Sequence, residues 1–365
     1  MPAYDAVPTP AVVVELEIAK RNIKDIIEGA RKYGIAHRPH IKTHKCAELA
    51  KLQLSLGAKG IACAKLGEAE VMADAGIDDI LVTYPIVGAD KLRRYAELHK
   101  KCTLRSIINS EAGARGLSDA AQEEGACFEV LIELDGGVRR GGVGPMEPAL
   151  GFAKSVADFP GLEIVGLMYY PGLIYGQTTE EGISRIAEKE RDDLADTAEL
   201  LRRHGFDIRI LSGGNTPSSK RPHCLEGITE IRCGNYIFND CAQLYNSQVS
   251  VGDCALRVVS TVVAVVDGHN AIIDAGTKTL SSDAFLNCAG QYGHIVGHGG
   301  MTLFNLNEEH GFLRSEGPMP LKVGDRVAII PNHACVVCNL TDEIFMFEGG
   351  AFSHKSKIDA RGRAN

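Results

Sequence analysis

Between Leu16 and Tyr33, the residues Leu16, Ala19, Ile23, Ile26, Ile27 and Ala30 recur at three- and four-residue spacing, predicting a helix with one buried stripe. Downstream the texture alternates. Short apolar runs near 35–42, 59–64, 79–84, 103–108, 128–134, 162–169, 207–212 and 229–232 predict strands. Helical patterns at 46–56, 67–75, 89–101, 110–124, 148–158 and 180–204 separate most of them, and the seventh gap reads as a polar loop with no clear helix. Strands alternating with helices predict parallel βαβ units. Eight such strands over about 210 residues fit a (β/α)8 TIM-type barrel better than an open doubly wound sheet, which more often stops at five to seven. Near residue 246 the texture changes: LRVVSTVVAVVDG, NAIIDAG and GDRVAIIP are β-rich and lack long helices between them. The expected organisation is an α/β barrel over 15–245, followed by a mostly-β C-terminal domain over 246–365. The strand within residues 1–14 is expected to join that second domain.

Length predicts one large domain or two ordinary ones. The 365 residues exceed what one small core organises, and 45% hydrophobic with 24% charged residues is ordinary globular composition. Lysine plus arginine total 39 against 47 acids, a net charge of −8 with no basic block, which argues against a nucleic-acid or anionic-membrane surface. MPAYDAVPTP has neither a basic n-region nor an apolar h-region, and no apolar run approaches membrane-spanning length, so a cytoplasmic location is expected. The 40 glycines suggest tight turns and close backbone approaches to a ligand. The 11 cysteines are scattered and odd in number, so they form no disulfide framework, and most are expected as buried thiols.

In a barrel the chemistry gathers where strands end. The first strand ends in RPHIKTHK (38–45), which places Lys42 at the barrel mouth. A lysine partly desolvated there becomes a nucleophile able to form a Schiff base; the bland reading is a solvated basic turn. SGGNTPSS (212–219) follows the seventh strand and RCGNY (232–236) the eighth, the two positions at which barrels commonly bind phosphate. A Schiff-base lysine with a phosphate cradle suggests pyridoxal phosphate. His333 and Cys335 follow the apolar run RVAIIP, and at i and i+2 of a strand they share one face, able to meet on one ion. Cys338 is expected on the other face, in the core. A lone His-x-Cys is weak evidence for a metal.

RPHIKTHK, DGGVRRGGV (135–143), SGGNTP (212–217), TEIRCGNYIFND (229–240), DAGTKTLSSD (274–283) and PNHAC (331–335) occur in this order along nearly the whole chain. Together they make the chain resemble the fold-type III, alanine-racemase-like pyridoxal-phosphate enzymes, within the D-serine dehydratase and D-threonine aldolase branch. The resemblance implies Lys42 as the Schiff-base lysine, with Lys45 the alternative. It implies Tyr170 against the cofactor ring, Arg140 near the ring's phenolic oxygen, Arg232 facing the pyridine nitrogen, and Gly214, Gly234 and Asn235 at the phosphate. Cys233 departs from the branch, which often carries proline there, and this should alter the stiffness of the phosphate turn. His44, His310 and Tyr170 are candidate proton carriers.

The resemblance also implies a divalent metal on His333 and Cys335. A cysteine at the second position marks the dehydratases, with zinc, and an aspartate the aldolases, with a harder ion such as manganese or magnesium. The expected enzyme is therefore a zinc-dependent lyase. It would dehydrate D-serine or a D-3-hydroxyaspartate to an oxo acid and ammonia, with retro-aldol cleavage to glycine and an aldehyde as the alternative. A racemase would not need the metal pair, nor would a non-catalytic cofactor-binding protein. The partners expected are a small D-amino acid and, by resemblance, a second copy of the chain in a homodimer.

Overall fold

The computed structural model describes residues 4–246, 248–284, 288 and 290–365. Strand β1 (Ala11–Glu15) and helix α1 (Leu16–Arg31) lead into a series of alternating elements: β2 (Ala36–His37), α2 (Ala47–Ser55), β3 (Ile61–Cys63), α3 (Leu66–Asp74), β4 (Asp79–Val82), α4 (Ala89–His99), β5 (Thr103–Ile108) and α5 (Glu111–Glu123). The series continues with β6 (Phe128–Leu134), α6 (Glu147–Val156), β7 (Leu162–Tyr169), α7 (Glu180–Arg203), β8 (Ile210–Gly213), α8 (Thr216–Ser219) and β9 (Glu230–Ile231). Strands β2 to β9 form one parallel sheet in the order β2-β9-β8-β7-β6-β5-β4-β3. A parallel bridge between His40 and Ala62 joins its two ends. The sheet therefore closes on itself, which is the (β/α)8 barrel of the sequence reading.

Alternation along the strands builds the barrel's packing. Leu81, Ile107, Leu131, Val165 and Met168 form one buried cluster with Ile210 against it. Helices α4, α5 and α7 are amphipathic, and Ser110 and Thr179 cap α5 and α7 by accepting from the N–H of Gly113 and Gly182. The seventh gap is not all loop: it holds the single-turn helix α8 and a 3-10 turn at Pro222–Leu225. Four residues are too few to show a helical period, which is why the sequence pattern misses α8.

Beyond the barrel come α9 (Cys241–Tyr245), β10 (Leu256–Val265), β11 (Asn270–Ile273), α10 (Thr277–Leu280), β12 (Gly293–Ile295), β13 (Met301–Leu306), β14 (Gly311–Ser315), β15 (Arg326–Pro331), α11 (Ala334–Leu340), β16 (Glu343–Glu348) and β17 (Ala351–Lys357). With β1 these strands make a second sheet, in which β1 lies between β10, antiparallel, and β16, parallel. All five β1 residues are buried, which suits a central strand. Its core gathers Tyr4, Val7, Ala11, Val13, Val259, Ala328, Phe345 and Phe347. The chain divides into two compact units: Lys24–Lys42, Ala47–Gly234 and Arg363–Asn365 in one, and Met1–Ile23, Thr43–Cys46 and Asn235–Gly362 in the other.

Candidate active site

The first barrel strand is shorter than its apolar run. It pairs over Ala36–His37, Pro39 contributes no N–H to the ladder, and the chain then turns into a 3-10 helix at Ile41–Thr43. Lys42 rides on that turn and is exposed, where the strand reading expected it partly desolvated. His40 supports the turn: its Nδ1 accepts from the Lys42 N–H at 3.5 Å, and its Nε2 lies 3.1 Å from Thr83 Oγ1. Lys45 differs in kind. It is buried, its backbone is left-handed (φ 51°), and its Nζ donates to Asn339 Oδ1 at 2.9 Å.

Tyr170 follows β7, and the Arg140 guanidinium stacks over its ring, 4.2 Å from the centroid. The loop bearing Arg140 is shaped by Asp135, whose Oδ1 accepts from the N–H groups of Gly137 and Arg139 at 2.9 and 3.1 Å. Gly136 packs so closely that a Cβ would lie 2.0 Å from the Tyr170 carbonyl oxygen. That contact explains the first glycine of DGGVRRGGV.

After β8, Gly214 takes φ +83°, and a Cβ there would meet Ile231 at 2.7 Å. Its N–H donates to Glu190 Oε1 at 2.6 Å, so this amide is turned toward α7. Asn215 caps α8 reciprocally with Ser218, and its Nδ2 also donates to the Pro171 carbonyl at 3.2 Å. Glu190, which the sequence reading did not single out, is fully buried. Burial raises its carboxyl to about 7, against the Gly214 amide and the Arg232 charge. After β9, Arg232 is held by two contacts: its guanidinium donates to Ser212 Oγ at 2.6 Å and to the Tyr169 carbonyl at 2.8 Å. Ser212 in turn donates to Glu230 at 2.7 Å, and the buried Arg38 bonds the same carboxylate through Nε. Burial alone would raise Glu230; the Arg38 charge and the Ser212 hydroxyl hold it below the usual range.

Among the described residues the N–H groups of Gly234 and Asn235 make no hydrogen bond, and Ser219 Oγ is buried without a partner. Unused donors on turns at the ends of β8 and β9 suit a phosphate.

His333 and Cys335 come together for a reason other than the one read from sequence. Strand β15 stops at Pro331, and His333 is the extended N-cap residue of α11, with Cys335 in that helix's first turn. The pair therefore meets at a strand-to-helix corner, not on a strand face. Burial alone would lower the His333 imidazole, yet its hydrogen bonds to Cys335 and Asp283 and the neighbouring negative charge raise it to about 9. Burial alone would raise the Cys335 thiol, yet the His333 imidazole, with Thr43, holds it below the ordinary thiol range. Cys335 Sγ lies 3.3 Å from Thr43 Oγ1, and Thr43 is the residue after Lys42. Cys338 is buried in the core, as expected.

Asp240, also not singled out from sequence, sits behind the pair. Its Oδ2 accepts from Asn235 Nδ2 at 2.6 Å and from the Ala334 N–H at 3.0 Å. The remaining oxygens, Asp240 Oδ1 and Asn235 Oδ1, are buried with no hydrogen-bond partner among the described residues. Burial raises the Asp240 carboxyl, against the His333 charge. A thiol and an imidazole at one corner, backed by buried carboxylate and amide oxygens, form a donor set that a divalent cation fits. No cluster of three or more His, Cys, Asp or Glu side chains able to hold a metal occurs among the described residues. Two protein ligands are fewer than the four positions of a tetrahedral site, which leaves room for water or substrate. His44 is fully buried, edge-on to Phe238, and its Nδ1 accepts from the Cys46 N–H, all of which suit a structural role. His310 is exposed at the β13–β14 turn.

Residues 14–241 match the model of the alanine racemase N-terminal domain, and residues 255–347 that of a putative serine dehydratase domain. The chain is 33% identical over 348 residues to D-threo-3-hydroxyaspartate dehydratase of Delftia sp., covering 90% of each chain. It is 31% identical over 361 residues to D-threonine aldolase of Arthrobacter sp., covering 98% of this chain and 93% of the relative. Among solved structures, D-threonine aldolase from Filomicrobium marinum superimposes with a TM-score of 0.91 at 29% identity, over 100% of both chains. A cysteine-to-alanine mutant of D-threo-3-hydroxyaspartate dehydratase in the metal-free form gives 0.89 at 31% identity, over 96% of this chain and 97% of that one. With the closed barrel, the second sheet and both family models spanning most of its length, the chain belongs to the alanine-racemase-like family of pyridoxal-phosphate-dependent lyases that includes these D-amino acid dehydratases and aldolases.

Proposed function

We propose that the chain is a zinc-dependent dehydratase of a D-β-hydroxy amino acid, D-serine or a D-3-hydroxyaspartate, releasing an oxo acid and ammonia. The observation that carries this reading is the His333–Cys335 corner, because a cysteine sulfur favours zinc over the hard ions. That a related dehydratase is described in a metal-free form supports a metal in this reading.

Lys42 is the proposed anchor of the cofactor aldehyde, being exposed where Lys45 is buried and bonded. Gly234 and Asn235 offer amides to the phosphate, while Gly214 contributes close backbone approach, its own amide being used by Glu190. Arg232, fixed by Ser212 and the Tyr169 carbonyl, presents a rigid guanidinium toward the pyridine nitrogen. Tyr170 and the Arg140 stacked on it bound the ring. Bound there, pyridoxal phosphate supplies an electron sink for the substrate's Cα, and zinc supplies Lewis acidity at its β-hydroxyl. The Lys42 amine takes the Cα proton; His333 and Cys335 hold the cation.

Retro-aldol cleavage is the second reading, favoured by the likeness to D-threonine aldolases along the whole chain. All eleven cysteines are free, which supports a reducing compartment, the cytoplasm. No helix among the described residues is long and apolar enough to cross a membrane. The homodimer rests on the family resemblance, and sedimentation velocity measures it.

The deciding assay incubates the cofactor-loaded protein with D-serine, D-threonine and D-3-hydroxyaspartate, with chelator and with added zinc. Oxo acid and ammonium, lost with chelator and restored by zinc, are the expected products. Glycine and an aldehyde would replace the dehydratase reading by the aldolase one. Full turnover after thorough metal removal would end the metal's role.

A further inference from the structure

We infer that Asp283 is the positioning residue of the metal corner: it fixes the His333 ring so that Nε2, and not Nδ1, faces the cation. The inference rests on the reading of His333 and Cys335 as the metal pair. Asp283 Oδ2 lies 2.7 Å from His333 Nδ1, and among the described residues the carboxylate has no other partner. An imidazole that holds a cation keeps one proton, on its other nitrogen, and a carboxylate at Nδ1 secures that proton there. The lone pair is then left on Nε2, with the plane of the ring set. With its Oδ2 engaged at Nδ1, Asp283 acts on the cation through the ring and not as a ligand itself.

The carboxylate can aim the ring only if its own backbone is held, and it is held at both ends. Its N–H donates to Ser281 Oγ at 3.2 Å. Its carbonyl accepts at 3.0 Å from Asn332 Nδ2, which also donates to the Gln291 carbonyl at 2.8 Å. Asn332 is 1% exposed and immediately precedes His333. The residue before the histidine thus grips the residue that grips the histidine's ring, a closed brace. An ordinary surface ion pair has no such brace and contributes little to stability. The same contacts assign a task to the last residue of DAGTKTLSSD and to the asparagine of PNHAC, which the catalytic reading leaves unexplained.

The test measures zinc affinity by competition with a chromophoric chelator on the pyridoxal-phosphate-loaded protein, first stripped of metal. Wild type, Asp283→Ala, Asp283→Asn and His333→Ala are compared, and the melting temperature of each metal-free form is recorded. Expected are loss of binding in His333→Ala, affinity weaker by about 10- to 100-fold in Asp283→Ala, and a smaller loss in Asp283→Asn. Metal-free melting temperatures of the Asp283 variants should equal wild type. Wild-type zinc affinity in Asp283→Ala, with binding lost in His333→Ala, would overturn the inference alone. Wild-type affinity in His333→Ala would overturn the metal reading beneath it. Weakened affinity accompanied by an equally lowered metal-free melting temperature would make Asp283 structural and overturn the inference as well.

Discussion

Lys42 and Lys45 are three residues apart, and sequence alone leaves either as the Schiff-base lysine. Their surroundings separate them. The Lys42 side chain stands exposed on a 3-10 turn, whereas Lys45 is buried with its ammonium donating to Asn339. Replacing Lys42 by alanine should therefore abolish the yellow Schiff-base absorbance and activity while leaving the thermal melt unchanged. Lys45→Ala should keep the absorbance and lower the melting temperature, because it leaves a packed position short of its side chain. The opposite pattern of absorbance would move the assignment to Lys45. At this scale the residues invisible in the sequence are the buried acids. Glu190 lies within the long helical pattern 180–204 and looks like any surface glutamate until its contact with the Gly214 amide is seen. Asp240 ends a motif whose glycine and asparagine attract attention first, yet it lies against Asn235 and the Ala334 amide. A charge's burial depends on what the rest of the chain packs against it, and no local spacing encodes that.

Long elements were legible because their period persists over many residues. Helices α1 and α7 and strands β5, β6 and β7 fall within a residue or two of the ranges read from the apolar spacing. The misses lie at corners, where one or two residues decide the geometry. The first barrel strand pairs over two residues before the chain turns into a 3-10 helix, and the expected strand face at His333 is instead a helix cap. Helix α8, four residues long, follows the glycine turn proposed for the cofactor phosphate. Asn215 closes it with Ser218 and ties it to the carbonyl of Pro171, the residue after Tyr170. Asn215→Ala should cost about 1 kcal/mol through the lost cap. It should also weaken pyridoxal-phosphate retention on dialysis more than Ser110→Ala, which removes a comparable cap from α5, remote in sequence from every phosphate-assigned residue. Equal retention in the two variants would show that α8 does not shape the phosphate turn.

For the molecule as a whole, two buried titratable groups of the barrel make stability depend on pH in opposite directions. His37 is fully buried, and burial lowers its imidazole to about 3 from an ordinary 6.5. Between these values the unfolded chain binds a proton that the folded one does not, so stability rises with pH. Glu190 is the reverse case. Burial raises it to about 7 from 4.5, so within that window the folded chain keeps a proton that the unfolded chain has released. Stability falls as pH rises, and the loss is complete above the folded value. The shift corresponds to a penalty of the order of 3 kcal/mol at neutral pH. Glutamine at position 190 keeps an oxygen to accept from the Gly214 amide but has nothing to titrate. Denaturant unfolding midpoints of wild type and Glu190→Gln, measured from pH 4.5 to 8, should coincide at the acid end and diverge through neutrality, with the variant the more stable at pH 8. Because the His37 contribution is then no longer opposed, the midpoint of the variant should climb with pH up to about 6.5 more steeply than that of wild type. A constant offset between the two proteins across the whole range would mean that Glu190 does not titrate in the folded state, and its effect on stability would then be one of packing.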